Sequence, residues 1–254
     1  MTLALARFLR SLALLAALAA PFTSARALVG AAPDRRFADR VAMVLIRGGD
    51  KAGFCSALVL SPRILLTAAH CLRPLSRDMA VYYRDAGGAA VIIPVDAAVA
   101  HPRYRADAIQ ARALSIDLAL IRTARPLAPR FAAAAVADGK APPIGKAVIL
   151  SGYGAVREGD WSSGGTLRSV TLAVREPASS VLLWAADPSG RPAGACSGDS
   201  GAPIWSADGS TAIAIVAWAQ APHGRGCGGL TQGPLLGPLK GWIEETERKL
   251  ARSN

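Results

Sequence analysis

Short apolar runs, each closed by glycine, proline or a polar cluster, recur along most of this chain. Val41 to Ile46, Ser56 to Leu60, Ile64 to Ala68, Val91 to Val95, Leu118 to Arg122, Ala147 to Ser151, Leu167 to Val174 and Ala212 to Trp218 each read as a β-strand. Many short strands with regular turn signals predict a sandwich or a barrel. Residues 123–146 interrupt the pattern. Prolines at 126, 129, 142 and 143 flank the alanine-rich run Phe131 to Val136, which suits a helical coil as well as a linker, between two halves of the chain. After Pro238 the period changes. Leu239, Trp242, Ile243, Thr246 and Leu250 fall on one side of an amphipathic helix of about 12 residues, with charges elsewhere.

The first residues belong to a different kind of segment. Arg7 and Arg10 precede the apolar stretch Leu12 to Ala20, and Ala25-Arg26-Ala27 follows as a small-residue cleavage site. That pattern is a secretory signal peptide over residues 1–27, too short in its apolar part to span a bilayer, and no membrane span is expected in the mature protein. Cleavage after Ala20 or Ala25, with later trimming, is the competing reading. Secretion to a periplasm or beyond the cell implies an oxidising compartment, so the four cysteines are expected to be bridged. They allow three pairings, and no CxxC or paired-ligand spacing calls for a metal. The chain carries 29 basic and 18 acidic residues, a net charge of +11. Removing residues 1–27, with their three arginines and no acids, leaves 26 against 18, or +8. A cationic surface attracts acidic partners in general, but no nucleic-acid motif accompanies it, and no nucleic-acid partner is expected.

Candidate chemistry sits in two distant segments: Leu65-Leu66-Thr67-Ala68-Ala69-His70-Cys71, and Cys196-Ser197-Gly198-Asp199-Ser200-Gly201-Ala202-Pro203. Between them, Asp117 interrupts the apolar run Ser115 to Ile121. A serine hydroxyl is a weak nucleophile at neutral pH and needs a base, and the base needs a partner that fixes its tautomer. His70, Asp117 and Ser200 can supply those roles. A core histidine and a structural ion pair are the plainer readings of His70 and Asp117. The G-x-S-x-G elbow of α/β-hydrolases does not fit: the chain reads Gly198-Asp199-Ser200-Gly201-Ala202, His223 is the one histidine that follows Ser200, and no strand–elbow–helix context is evident.

In these motifs, and in the order His…Asp…Ser, the chain resembles the trypsin/chymotrypsin-like serine peptidases from about Leu28 to its end. The resemblance implies an all-β fold of two six-stranded antiparallel β-barrels packed together, at 28–135 and 136–254, closed by a C-terminal α-helix. It implies a serine endopeptidase acting through an acyl-enzyme on Ser200. The backbone N–H groups of Gly198 and Ser200 would form the oxyanion hole, and the disulfides would be Cys55–Cys71 and Cys196–Cys227. No cofactor or metal is implied. The expected partners of this monomer are polypeptide substrates and a protein inhibitor. The alternative is a weak or inactive binding protein on the same fold.

The resemblance also places a specificity pocket around Gly194, Ala195, Ala219 and Gly233. Nothing there offers a counter-charge for Arg or Lys, so a neutral apolar P1 residue is expected. Leu28-Val29-Gly30-Ala31 loosely matches the N-terminus that relatives insert on activation, and Asp199 is the matching carboxylate. Signal peptidase acting after Ala27 would itself free the Leu28 ammonium. One departure stands out: Ala217 occupies a position where the family usually carries a serine that supports the triad aspartate.

Overall fold

The computed structural model describes residues 28–48, 51–72, 79–108, 111, 113–222 and 226–253. The expected leader, residues 1–27, lies outside the described residues. A two-residue strand, β1 (Ala32–Pro33), precedes six strands: β2 (Val41–Gly48), β3 (Lys51–Val59), β4 (Ile64–Thr67), β5 (Met79–Arg84), β6 (Ala90–Ala100) and β7 (Ala119–Thr123). They close into an antiparallel barrel in the order β2-β3-β4-β7-β6-β5. The alternation along β5 shows why: Met79, Val81 and Tyr83 point inward and are buried, while Ala80 and Tyr82 are half-buried on the other face. The barrel interior joins them to Val44, Leu65, Ile93 and Ile121.

The second half contains β8 (Ala135–Val136), β9 (Ala147–Gly152), β10 (Arg168–Val174), β11 (Leu182–Ala186), β12 (Pro203–Trp205), β13 (Thr211–Ile215), β14 (Trp218–Gln220) and β15 (Leu230–Pro234). Six of these run in the order β15-β11-β10-β9-β12-β13, with β14 and β8 added at the two ends and β1 on β10. A bridge between Ala214 and Leu235, with the Leu236 N–H donating to the Ile213 carbonyl at 2.9 Å, brings β13 back to the end of β15. The expected run Ala212 to Trp218 is broken at Val216 and Ala217, whose N–H groups turn to the carbonyls of Ala202 and Gln232. The alanine-rich connection is extended rather than helical. The N–H groups of Ala132, Ala134 and Ala137 donate to the carbonyls of Asp39, Val59 and Ala212, and β8 pairs parallel with β13, so partners on both sides outcompete helix propensity.

A further apolar cluster lies between the halves. Phe37 stacks on Trp205 with ring centroids 4.7 Å apart, and Leu58, Leu66, Leu118, Leu120 and Ile149 pack around them. The helix α1 (Lys240–Arg252) buries Ile243, Thr246 and Leu250 against this layer. Arg122 on β7 donates to the carbonyls of Leu250 and Ser253 at the helix C-terminus, where a cation complements the helix dipole.

Candidate active site

His70 follows β4 on a single 3₁₀ turn, Ala69–Cys71, and the Cys55–Cys71 disulfide ties that turn to β3. Asp117 lies just before β7, between the buried residues Ile116 and Leu118. Its Oδ1 accepts the His70 backbone N–H at 2.9 Å, and its Oδ2 lies 2.6 Å from His70 Nδ1. A carboxylate there holds the proton on Nδ1, which leaves Nε2 free to act as a base.

Ser200 comes from the other half, on the loop before β12 that the Cys196–Cys227 disulfide anchors. His70 and Ser200 line the same cleft. No hydrogen bond joins the Ser200 hydroxyl to His70 among the described residues, and such contacts are often long before substrate binds. The loop docks on β3 through Ser56, which is fully buried. Its N–H donates to the Ser200 carbonyl at 2.8 Å, and its hydroxyl donates to the Gly198 carbonyl at 3.1 Å. Gly201, at φ +81°, leaves no room for a Cβ beside the Ser56 carbonyl and Thr67 Oγ1. The turn uses the N–H groups of Asp199, Gly201 and Ala202 on the carbonyls of Cys196, Val216 and Asp199. Those of Gly198 and Ser200 donate to no group among the described residues.

Asp199 points the other way and is completely buried. Its carboxylate accepts the N–H of Gly154 at 2.8 Å and of Cys196 at 2.9 Å. Burial pushes its carboxyl up to about 7, against the pull of those two donors and of the Arg168 guanidinium. Leu28 is also fully buried. Val29 bridges Gly194, whose N–H donates to the Val29 carbonyl at 3.1 Å. In the 254-residue chain the Leu28 nitrogen is a peptide nitrogen, and no cationic side chain forms an ion pair with Asp199 among the described residues.

Gly194, Ala195 and Ala219 gather around Thr231, which sequence reasoning missed. Ala219 pairs with Thr231 across β14 and β15, Thr231 Oγ1 accepts the Ala195 N–H at 2.9 Å, and a Cβ on Gly194 would come 2.9 Å from that oxygen. Gly233 lies two pairs further on, opposite Leu183, where a Cβ would run into the Ile215 carbonyl. Period-2 counting from Gly233 would have reached Thr231, but a threonine in a strand carries no functional signal by itself.

Cys55, His70 and Cys71 offer potential ligand atoms within 4.8 Å of one another, but both sulfurs are consumed in the disulfide. A lone imidazole remains. Asp117 keeps 18% of its side-chain surface exposed and lines a cleft of 520 Å³ with Ala217, Tyr104 and Trp218. Burial, with the Asp117 charge second, pushes the Tyr104 hydroxyl up. Ala217→Ser adds a donor on that side and is expected to raise turnover or leave it unchanged. A loss beyond about tenfold, roughly 1.4 kcal/mol, in steady-state kinetics would show that the site needs the smaller residue.

A family model for trypsin matches residues 31–232. The chain belongs to the trypsin/chymotrypsin-like family of serine peptidases. It is 27% identical over 221 residues to trypsin epsilon of Drosophila erecta, covering 78% of this chain and 79% of that protein. Against human kallikrein-15 it is 28% identical over 194 residues, covering 66% and 72%. The fold is similar to that of neuropsin from mouse brain (TM-score 0.65, 21% identity, 81% of this chain and 93% of that one). It is also similar to an inactivated protease paralogue of the scabies mite (TM-score 0.67, 22% identity, 85% and 97%).

Proposed function

We propose that this protein is a secreted serine endopeptidase that cleaves peptide bonds through an acyl-enzyme on Ser200. The observation that carries the reading is the 2.6 Å contact between Asp117 and His70, in a cleft that His70 shares with Ser200. Ser200 Oγ attacks the substrate carbonyl carbon while His70 Nε2 takes its proton. The N–H groups of Gly198 and Ser200 receive the oxyanion, and losing one such donor typically costs about 100- to 1000-fold in turnover. His70 then returns the proton to the leaving amine, Asp117 stabilises the imidazolium in between, and water releases the acyl group by the same steps.

The pocket around Gly194, Ala195, Ala219 and Thr231 supports a preference for small or mid-sized uncharged P1 side chains. Arg and Lys find no counter-charge among these residues. A binding protein without activity is the second reading. Ala217 favours it, because the triad aspartate then lacks a hydroxyl donor that the resemblance leads one to expect. A fluorophosphonate or sulfonyl fluoride probe, followed by peptide mapping, is expected to label Ser200 and abolish hydrolysis, and a peptide library is expected to report neutral P1 residues. Full hydrolysis by Ser200→Ala, or labelling at another residue, would sink the peptidase reading. Cleavage mainly after Arg would sink the pocket assignment.

A further inference from the structure

Two clefts flank His70. The smaller includes Ala217 and Trp218 at the start of β14, which ends its sheet among the described residues. An extended acyl-side segment can take its main-chain hydrogen bonds there. The leaving-group side then projects into the larger cleft, of 680 Å³, with His70 and Ser200 at its inner end. Its walls are apolar: Ile46, Phe54, the Cys55–Cys71 disulfide and Trp161.

Trp161 is 49% exposed, whereas Trp184, Trp205, Trp218 and Trp242 are buried or half-buried. Its mount is stiff. Asp160 caps the 3₁₀ turn Trp161–Ser163 by accepting the Ser162 N–H at 3.1 Å, and Arg157 pairs with the same carboxylate. The Trp161 and Phe54 rings meet edge to face, with centroids 5.4 Å apart at 81°. Phe54 in turn is backed by two glycines. A Cβ on Gly164 or on Gly198 would collide with its ring, so neither position tolerates a side chain while the ring stays in place. Trp161 therefore lines the cleft beside a ring that is held in place from behind.

We propose that Trp161, braced by Phe54, is a specificity-determining residue that selects a bulky apolar residue immediately after the scissile bond. The inference rests on the peptidase reading above and names the leaving-group half of its substrates. Covering an exposed indole and an apolar side chain together removes enough surface from water to favour a large P1′ residue over glycine by about tenfold or more.

Acyl transfer isolates this side of the site. With one ester substrate fixing the acyl group, added amino-acid amides compete with water for the acyl-enzyme. The amine nitrogen attacks the acyl carbon and gives its proton to His70, the bond from the acyl carbon to Ser200 Oγ breaks, and His70 returns that proton to Oγ as the free hydroxyl. Partition into peptide product is expected to be about tenfold higher for phenylalaninamide or leucinamide than for glycinamide. Trp161→Ala is expected to bring those ratios within twofold of one another, and Trp161→Phe to restore most of the preference. Equal partition of all amides in the unsubstituted protein, or an undiminished preference in Trp161→Ala, overturns the clamp while the peptidase reading stands. Absence of any Ser200-dependent turnover overturns both.

Discussion

His70→Ala is expected to lower kcat by about ten-thousandfold to a millionfold, and Asp117→Asn by about ten-thousandfold, with the fold retained. The reason is geometric. Asp117 touches His70 at both its backbone N–H and its Nδ1, so the aspartate fixes the position of the turn and the tautomer of the ring at once. An asparagine keeps the size but no longer compels the proton to sit on Nδ1, and it cannot stabilise an imidazolium. Asp117 is half-buried and its charge is open to the cleft, so losing the charge should leave thermal stability close to that of the parent. The sharper test is non-additivity. If His70 and Ser200 act as one unit, the double variant His70→Ala/Ser200→Ala should be no slower than the worse single variant. Losses that multiply would mean that the two residues act independently. A kcat loss below about tenfold for His70→Ala would overturn its role as the base.

The strands that announced themselves in the sequence are those with strong apolar runs bounded by turns, such as β2, β4, β7 and β9. Among those that did not, β12 is three residues with an initial proline, and β15, Leu230–Pro234, mixes glycine, glutamine and proline. Both are held by neighbouring strands rather than by their own propensity. At the site, His70 and Ser200 stand out because their chemistry sits beside cysteines and glycines in tight local motifs. Ser56 and Thr231 do not. Each is a fully buried hydroxyl whose importance comes from a partner far along the chain: Gly198 and Ser200 for Ser56, Ala195 for Thr231. Phe54 and Trp161 are likewise silent until the fold brings a glycine-lined wall behind one of them. The helical potential of the alanine run at 131–136, read as a connection, is not realised, since alanine's helix propensity is small beside a full set of strand partners.

Protein beginning at Leu28 is expected to outperform protein that keeps one extra residue before it by about a hundredfold or more near pH 7.5, because breaking a buried pair typically costs about 3–5 kcal/mol. The burial of Leu28, the Val29–Gly194 bridge and the burial of Asp199 support an inserted N-terminus. A free ammonium there would be the countercharge that Asp199 otherwise lacks. The ratio of the two activities divides out effects of pH common to both forms, so its pH dependence reports the pair itself. In the extended form Asp199 has its folded carboxyl pushed up to about 7, well above the unfolded value of about 3.9. Ionising it costs folded stability progressively from about pH 4 to pH 7, so the extended form weakens over that range. In the form beginning at Leu28, pairing raises the ammonium above its free value of about 7.7–8.0. Its contribution is complete below that value and disappears as pH rises through the folded value. The ratio should therefore climb from mildly acidic pH to neutrality and fall again at alkaline pH. Asp199→Asn should flatten the curve by removing the carboxylate from both forms. A ratio near one at every pH would mean that the Gly198–Ser200 loop is held without any N-terminal charge.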